Sequence, residues 1–440
     1  MVLKLGFLVG FHHYSSSTPS LKLNRALLVS KLSRYELESL RFKDIDQTQL
    51  EKKLRNRGSD YELLIHHHEV HKSFEKSVVD VLKNKNVDIR LVPRFKLTQD
   101  DISWADVIFS LGGDGTFLMV ASSVLGNSKP VVGFNSDPTR SEGHLCLPKR
   151  YSTNLEEAIY KLTHGEFKWM FRSRIRITLS GEFIDEQPVE LQEELLHPDR
   201  RIYNCISAPD ENRVFIGSAL PESTRVLPVF ALNEVFLGES LSARVSYFEL
   251  SLDGGPFTKI KSSGLCVTTG TGSTSWHLSI NRVDQQTVAK LAALLGNKLS
   301  PEQVPAITKS YNDSLVFSPD YLDTIDSDSD FVYESDSDIT SDDDNVPDLR
   351  NPAVHNMSDS DENENPQISY TIRDNICASV WPHPKGIESR GFASQIVIRS
   401  RCFDAVLVID GRVSFKFNDG TVAKLEIHES DSLRTVILNE

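Results

Sequence analysis

The turn Gly112-Gly113-Asp114-Gly115-Thr116 is where the chain comes nearest to declaring a chemistry. It directly follows the short apolar run 106–111 and precedes Phe117, Leu118, Ala121, Val124 and Leu125 at helical spacing, with Gly126-Asn127 as the stop. Strand, glycine turn and helix together make a phosphate-holding arrangement, because glycines let backbone N–H groups approach an anion and the helix N-terminus favours negative charge. The pattern is neither G-x-G-x-x-G nor a Walker A motif, since no Gly-Lys-Ser follows. An aspartate inside such a turn repels phosphate unless it serves a purpose there, such as orienting a hydroxyl, taking its proton or meeting Mg²⁺. The structural alternative is a helix cap.

Two further stretches add to this. Thr268-Thr269-Gly270-Thr271-Gly272-Ser273-Thr274-Ser275-Trp276 gathers glycines and hydroxyls that suit phosphate or ribose, with an indole able to stack on a base or wall it off. Asn233-Glu234, at the foot of the strand-like run 229–237, sets an amide beside a carboxylate, a pair able to hold the two hydroxyls of a ribose.

The elements that must position these residues fall into two styles. From residue 25 short apolar runs (26–29, 89–92, 106–111, 129–134) alternate with helical periodicity such as Phe74, Val78, Val79, Val81 and Leu82, which predicts βαβ units and a largely parallel sheet with its ligands at the strands' carboxyl ends. After about residue 168 the period becomes two, and Asp253-Gly254 and Asp410-Gly411 sit between alternating runs. Asp-Gly in that setting predicts type I′ hairpins, both of whose central residues need positive φ. The expected architecture is therefore α/β plus all-β, a Rossmann-like α/β domain over 23–168 followed by a β-sandwich-like domain over 169–440 whose last residues pack back on the first.

Asp320 to Asn365 holds 16 of the 62 acidic side chains and one of the 48 basic ones, so the net charge of −14 belongs to this insert and the body is near neutral. That balance does not suggest nucleic-acid binding, and the insert, 320–366, is expected to be a disordered loop. Before Glu36 stand five basic residues, no acid and a Ser15-Ser16-Ser17-Thr18 cluster, the composition of a mitochondrial targeting arm, here 1–22, leading to the matrix. Five scattered cysteines without C-x-x-C fit a reducing compartment. Nowhere do about 18 apolar residues run together, so no membrane insertion is expected. His66-His67-His68-Glu69-Val70-His71 misses the H-E-x-x-H spacing by one residue and is expected to be a solvated helix end, leaving no metal-ligand set.

Taken in order, the Gly112–Thr116 turn, Asn233-Glu234 and Thr271-Gly272-Ser273-Thr274 resemble the NAD kinase family. Asn135-Ser136-Asp137-Pro138 with Arg140-Ser141-Glu142-Gly143-His144-Leu145-Cys146-Leu147-Pro148, Ala231 to Ser240 and Lys261 to Leu265 are similar to its mitochondrial branch, over roughly 24–318 and 367–440. The resemblance implies a kinase that moves the γ-phosphate of ATP, with Mg²⁺, to the 2′-hydroxyl of the adenosine ribose of NAD. It implies that Asp114 orients or deprotonates that hydroxyl. It implies also that Gly112, Gly113, Gly115, Thr116, Asn135, Asn233, Glu234 and Thr271, Gly272, Ser273, Thr274, Ser275 bind substrate or nucleotide, with Trp276 where the family usually has Tyr, and that the protein is a homodimer. Lys261-Ser262-Ser263-Gly264 replaces the usual Arg-Gly-Asp-Gly, removing an acidic contact on the adenine side. The alternatives are a diacylglycerol- or sphingosine-type lipid kinase, which shares the glycine-Asp-glycine turn, and a non-catalytic NAD-binding sensor or scaffold.

Overall fold

A computed structural model describes residues 21–191, 224–317, 366–376 and 387–438; the targeting arm through residue 20 and nearly all of the acidic insert lie outside the described residues. The first part runs β1 (Arg25–Ser30), α1 (Arg34–Arg41), α2 (Gln47–Asn56), α3 (Tyr61–Asn84), β2 (Asp88–Pro93), α4 (Gln99–Trp104), β3 (Val107–Leu111), α5 (Asp114–Ser123), β4 (Val131–Phe134), α6 (Arg150–Thr153) and α7 (Leu155–His164). The strands form a parallel sheet in the order β2-β1-β3-β4. Both faces of β1 and β3 are covered, which is why their sequences read as unbroken apolar runs. Phe74, Val78 and Leu82 of α3 pack with Leu28 and Phe109 on one face, and Phe117, Val120 and Ala121 of α5 with Leu27 and Ile108 on the other. Ser33 and Asp60 start α1 and α3 by accepting from backbone N–H groups three residues on.

The second part continues β5 (Phe167–Arg172), β6 (Ile175–Ser180), β7 (Val189–Glu190), β8 (Thr224–Val226), β9 (Glu234–Glu239), β10 (Ser246–Leu252), β11 (Thr258–Ser262), β12 (Gly264–Thr268), α8 (Trp276–Asn281), α9 (Gln285–Leu294) and α10 (Gln303–Asp313). It ends with β13 (Ile368–Arg373), β14 (Arg390–Ala393), β15 (Gln395–Ser400), β16 (Ala405–Ile409), β17 (Val413–Lys416), β18 (Val422–Ile427) and β19 (Leu433–Leu438). Two antiparallel sheets, β11-β10-β15-β18-β6-β8 and β14-β13-β12-β9-β16-β17-β7, bury alternate residues such as Ile177, Leu250 and Ile398 from one and Leu237, Val267 and Leu407 from the other in a shared core. This is the expected sandwich. The Asp-Gly hairpins form as read, with φ of 50° and 74° at Asp253-Gly254 and 49° and 62° at Asp410-Gly411.

The chain then returns. β19 pairs antiparallel with β5, and Val436 and Leu438 join Phe167 and Trp169 in the core of the α/β part. Between β5 and β6 the fully buried Arg174 donates to the carbonyls of Ala121 and Val124 (2.7 Å each), Gly126 (3.0 Å) and Asp431. The first of these are the carbonyls a helix end leaves unpaired, and a cation there also suits the helix dipole. Arg412, just past the β16–β17 turn, reaches the same end of α5 through the Met119 carbonyl at 3.0 Å and the Ser122 hydroxyl.

Candidate active site

The glycine turn sits at the carboxyl ends of the parallel strands, where the topology places ligands. Lys31 N–H donates to Leu111, Gly112 N–H to Phe134 and Ser136 N–H to Gly112, so the ends of β1, β3 and β4 are stitched around it. Gly112 is tightly enclosed: a Cβ there would lie 2.4 Å from Thr116 Oγ1 and 3.0 Å from Lys31 Cβ. Gly115, by contrast, borders open space. Asp114 opens α5 without capping it; its carboxylate instead accepts from the backbone N–H groups of His144 (3.1 Å) and Leu145 (2.8 Å) across the turn. An ionised carboxylate has about four acceptor positions, so this anchoring leaves capacity for a ligand hydroxyl.

Gly113 and Gly115 line a cavity of about 860 Å³. Lys31, Arg34, Arg57, Arg94 and Arg140 line it as well, against the carboxylates of Asp60 and Asp137. Such a cleft concentrates anions. Burial pulls the Lys31 ammonium and the Arg94 guanidinium below their ordinary ranges, the sign of charges held partly out of water. None of these five cations is legible in the sequence as a site residue, because they come from four separate segments of the chain, Lys31 and Arg34 sharing the junction of β1 with α1.

The family resemblance casts Asn135 as a substrate ligand. Its side chain is buried and turned inward: the amide donates to the Ser141 carbonyl (2.9 Å), and its oxygen accepts from the Asp137 N–H (3.1 Å) and the Ser141 hydroxyl (3.3 Å). It shapes the loop that carries His144 and Leu145.

The second group of residues gathers where β9 and β12 meet. Asn233 Nδ2 donates to Ser275 Oγ at 3.0 Å, and the Asn233 carbonyl accepts from the Thr268 hydroxyl (2.9 Å) and the Thr269 N–H (3.0 Å). Gly272 must be glycine, since a Cβ would come within 2.2 Å of that carbonyl. Thr271 to Thr274 form a turn of 3₁₀ helix, Ser273 Oγ bonding back to Gly270, and Thr271 Oγ1 accepts from Arg172 at 3.4 Å. Trp276 packs against Phe236 with centroids 4.4 Å apart and the rings tilted by 35°, over a floor where a Cβ on Gly264 would strike the Phe236 ring. Arg172 links the two groups: it reaches Thr271, and its charge and that of Asp114 both act on the Cys146 thiol, which burial drives upward.

The sequence marks Asp410 only as a turn residue, and it does more. Its half-buried carboxylate accepts the N–H groups of Leu232 (2.9 Å), Asn233 (2.8 Å) and Glu234 (3.0 Å), while its own N–H donates to the Glu234 carbonyl. Nothing local in the sequence could show this, because the partners lie over 170 residues away. Burial pushes Asp410 up to about 6, against the pull of those N–H groups and Arg174.

Burial, with Asp410 second, also pushes the Glu234 carboxyl up to about 8. A carboxyl that keeps its proton in the fold but loses it in the unfolded chain contributes stability below its unfolded value, near 4.5, and that contribution disappears as pH rises towards 8. Thermal stability is therefore expected to decline across that window, and Glu234→Gln, neutral throughout, to flatten the decline and melt higher than the parent above about pH 8. Differential scanning fluorimetry across pH checks this; an unaltered slope in Glu234→Gln would remove Glu234 as its source.

The histidine run requires a correction. It is not a solvated helix end: residues 66–71 lie in the middle of the 24-residue α3, His71 is fully buried and hydrogen-bonds Ser30 (2.9 Å) and Ser136 (3.0 Å), and His67 pairs with Asp137 at 2.8 Å. The capped helix runs on past the histidines, and its buried stripe of Leu64, His71, Phe74 and Val78 carries one of them against the sheet.

A glycine turn with an anchored aspartate, a cationic cleft and a glycine-hydroxyl loop joined to a β-sandwich defines a two-part nucleotide-handling protein. No family model matches the chain. It is 39% identical over 427 residues to "NAD kinase 2, mitochondrial" of Rattus norvegicus, covering 95% of this chain and 88% of that protein. The protein of the same name from Homo sapiens is also 39% identical over 427 residues, covering 95% and 85%. Among solved structures, a yeast NADH kinase complexed with NADH aligns with a TM-score of 0.46 at 14% identity, over 97% of this chain and 89% of that one. The chain belongs to the NAD kinase family, and within it to the mitochondrial type.

Proposed function

We propose that this protein transfers the γ-phosphoryl group of ATP to the 2′-hydroxyl of the adenosine ribose of NAD, forming NADP and ADP. Membership of the family supports the reaction, and the observation that carries the site assignment is Asp114, fixed by two backbone N–H groups between Gly113 and Gly115, which line the cationic cleft. In this reading the triphosphate lies among Lys31, Arg34, Arg57, Arg94 and Arg140, with the backbone of Gly113 and Gly115 and the N-terminus of α5 behind it. Mg²⁺ enters as part of the MgATP substrate, held chiefly by the phosphates.

Asn233 and Glu234 hold the NAD ribose. Asn233 Oδ1 and Glu234 Oε2 are buried without a hydrogen-bond partner among the described residues, and such atoms cost about 1–3 kcal/mol each until something pairs them. A ribose offers hydroxyls to both. Thr271 to Ser275 line the nucleotide, and the Trp276–Phe236 pair meets a base. Phosphoryl transfer asks mainly for alignment and charge neutralisation. The bond from the γ-phosphorus to the β,γ-bridging oxygen breaks as the ribose oxygen bonds to phosphorus, the hydroxyl proton passes to Asp114, and the cleft's cations hold the charge left on ADP.

The protein acts in mitochondria, in this reading in the matrix and as a homodimer. Among the described residues no helix is long and apolar enough to cross a membrane. The test is to incubate protein lacking residues 1–22 with NAD, ATP and Mg²⁺ and to read NADP through an NADP-specific dehydrogenase. NADP formation upholds the proposal. NAD bound without NADP formed would make the protein a sensor, and no NAD binding would point to a lipid acceptor.

A further inference from the structure

The corrected histidine run leads to a second set of contacts, and these end at Asp114. His67 Nδ1 bonds Asp137 Oδ2 at 2.8 Å, and His71 Nδ1 bonds Ser136 Oγ at 3.0 Å, so two consecutive residues of the loop after β4 are gripped from one helix. The Asp137 N–H donates to Asn135 Oδ1 at 3.1 Å. Asn135 in turn holds Ser141 through both ends of its amide and packs so tightly on Gly143, at φ +70°, that a Cβ there would meet Asn135 Nδ2 at 2.6 Å. The next two residues, His144 and Leu145, supply the N–H groups that fix the Asp114 carboxylate.

We propose that His67 and His71 are positioning residues for Asp114, acting through the loop from Asn135 to Leu145. The proposal rests on the reading of Asp114 as the group that meets the acceptor hydroxyl. The direction of the hydrogen bonds makes the grip specific. The Ser30 hydroxyl donates to Glu75, so it must accept from His71 Nε2–H, and the neutral ring then accepts at Nδ1 from the Ser136 hydroxyl. Burial pulls His71 down to about 3, which keeps it in that neutral form. Asp137 accepts from His67 Nδ1–H and from Thr139 Oγ1 at 2.7 Å. A helix that also packs on the sheet thereby sets the backbone position on which the carboxylate rests.

His71 is too buried to replace safely, so the test uses His67, whose side chain is 20% exposed. In His67→Ala, amide hydrogen exchange at 144 and 145 is expected to rise about tenfold, and kcat for NADP formation to fall about tenfold while KM for NAD stays within about twofold. His67→Asn, whose Nδ2 can take the place of the ring Nδ1, should restore most of both. Added to Asp114→Asn, His67→Ala should lower kcat no further, because the group it positions is already gone. Unchanged exchange at 144 and 145, or the same loss in both backgrounds, would overturn the proposal. If the parent protein formed no NADP the kinase reading of Asp114 would fall, while the exchange measurement would still decide whether the histidines hold the loop.

Discussion

Asp114→Asn should bind NAD normally and lose at least about 10²-fold in kcat. The side chain keeps its size, so α5 and the turn survive, but two things change. The amide cannot take up the hydroxyl proton, and one end of it now presents N–H to a backbone N–H, where the carboxylate accepted from both His144 and Leu145. The NAD-holding residues proposed here, Asn233, Glu234 and Thr271 to Ser275, are anchored separately, by Asp410 and by β12. The loss should therefore appear in kcat and kcat/KM alike, the signature of an interaction made only in the transition state. Steady-state assays with calorimetric NAD binding decide: turnover within a few-fold of the parent would remove Asp114 as proton acceptor.

Asp410→Ala is expected to destabilise the fold by about 3 kcal/mol or more and to raise KM for NAD at least about tenfold, because three buried N–H groups lose their shared acceptor. Two causes could produce a stability loss here, and they separate. Asp410 sits at φ 49°, which alanine resists and glycine or asparagine accepts. Asp410→Gly relieves the backbone strain and restores no acceptor; Asp410→Asn keeps the turn and one accepting oxygen. If the carboxylate's grip on residues 232–234 is what counts, the order of severity by urea unfolding and by KM is Ala, then Gly, then Asn. A glycine variant as good as the parent would reduce Asp410 to a turn residue.

Much of this is open to reading from residue types. Buried parallel strands announce themselves as apolar runs, Asp-Gly pairs specify their own φ, and a glycine turn between strand and helix has one obvious use. What cannot be read shares a cause. The cleft's cations stand at 31, 34, 57, 94 and 140, each an ordinary surface residue until the fold gathers them. Asp410 satisfies the turn rule so completely that its carboxylate needs no second explanation. The histidines miss a metal spacing and so lose the one local reason to single them out, and a buried imidazole linking two hydroxyls leaves no periodic trace beyond its place in the α3 stripe. Asn135 lies in the run that marks the mitochondrial branch, and its amide serves the loop's own geometry.

Arg174 and the returning strand β19 bear on how the molecule can move. The chain crosses between its two parts at 172–175 and again at 427–433, and at this double crossing a buried guanidinium holds four carbonyls while Arg176 grips Asp431 at 2.6 and 2.7 Å. A hinge needs a seam that can turn without stripping buried bonds. This seam would strip them, so a clam-shell swing of the two parts is not expected on substrate binding. For the same reason neither half can melt while the other stands, and calorimetry should record one cooperative transition where two separable domains would give two.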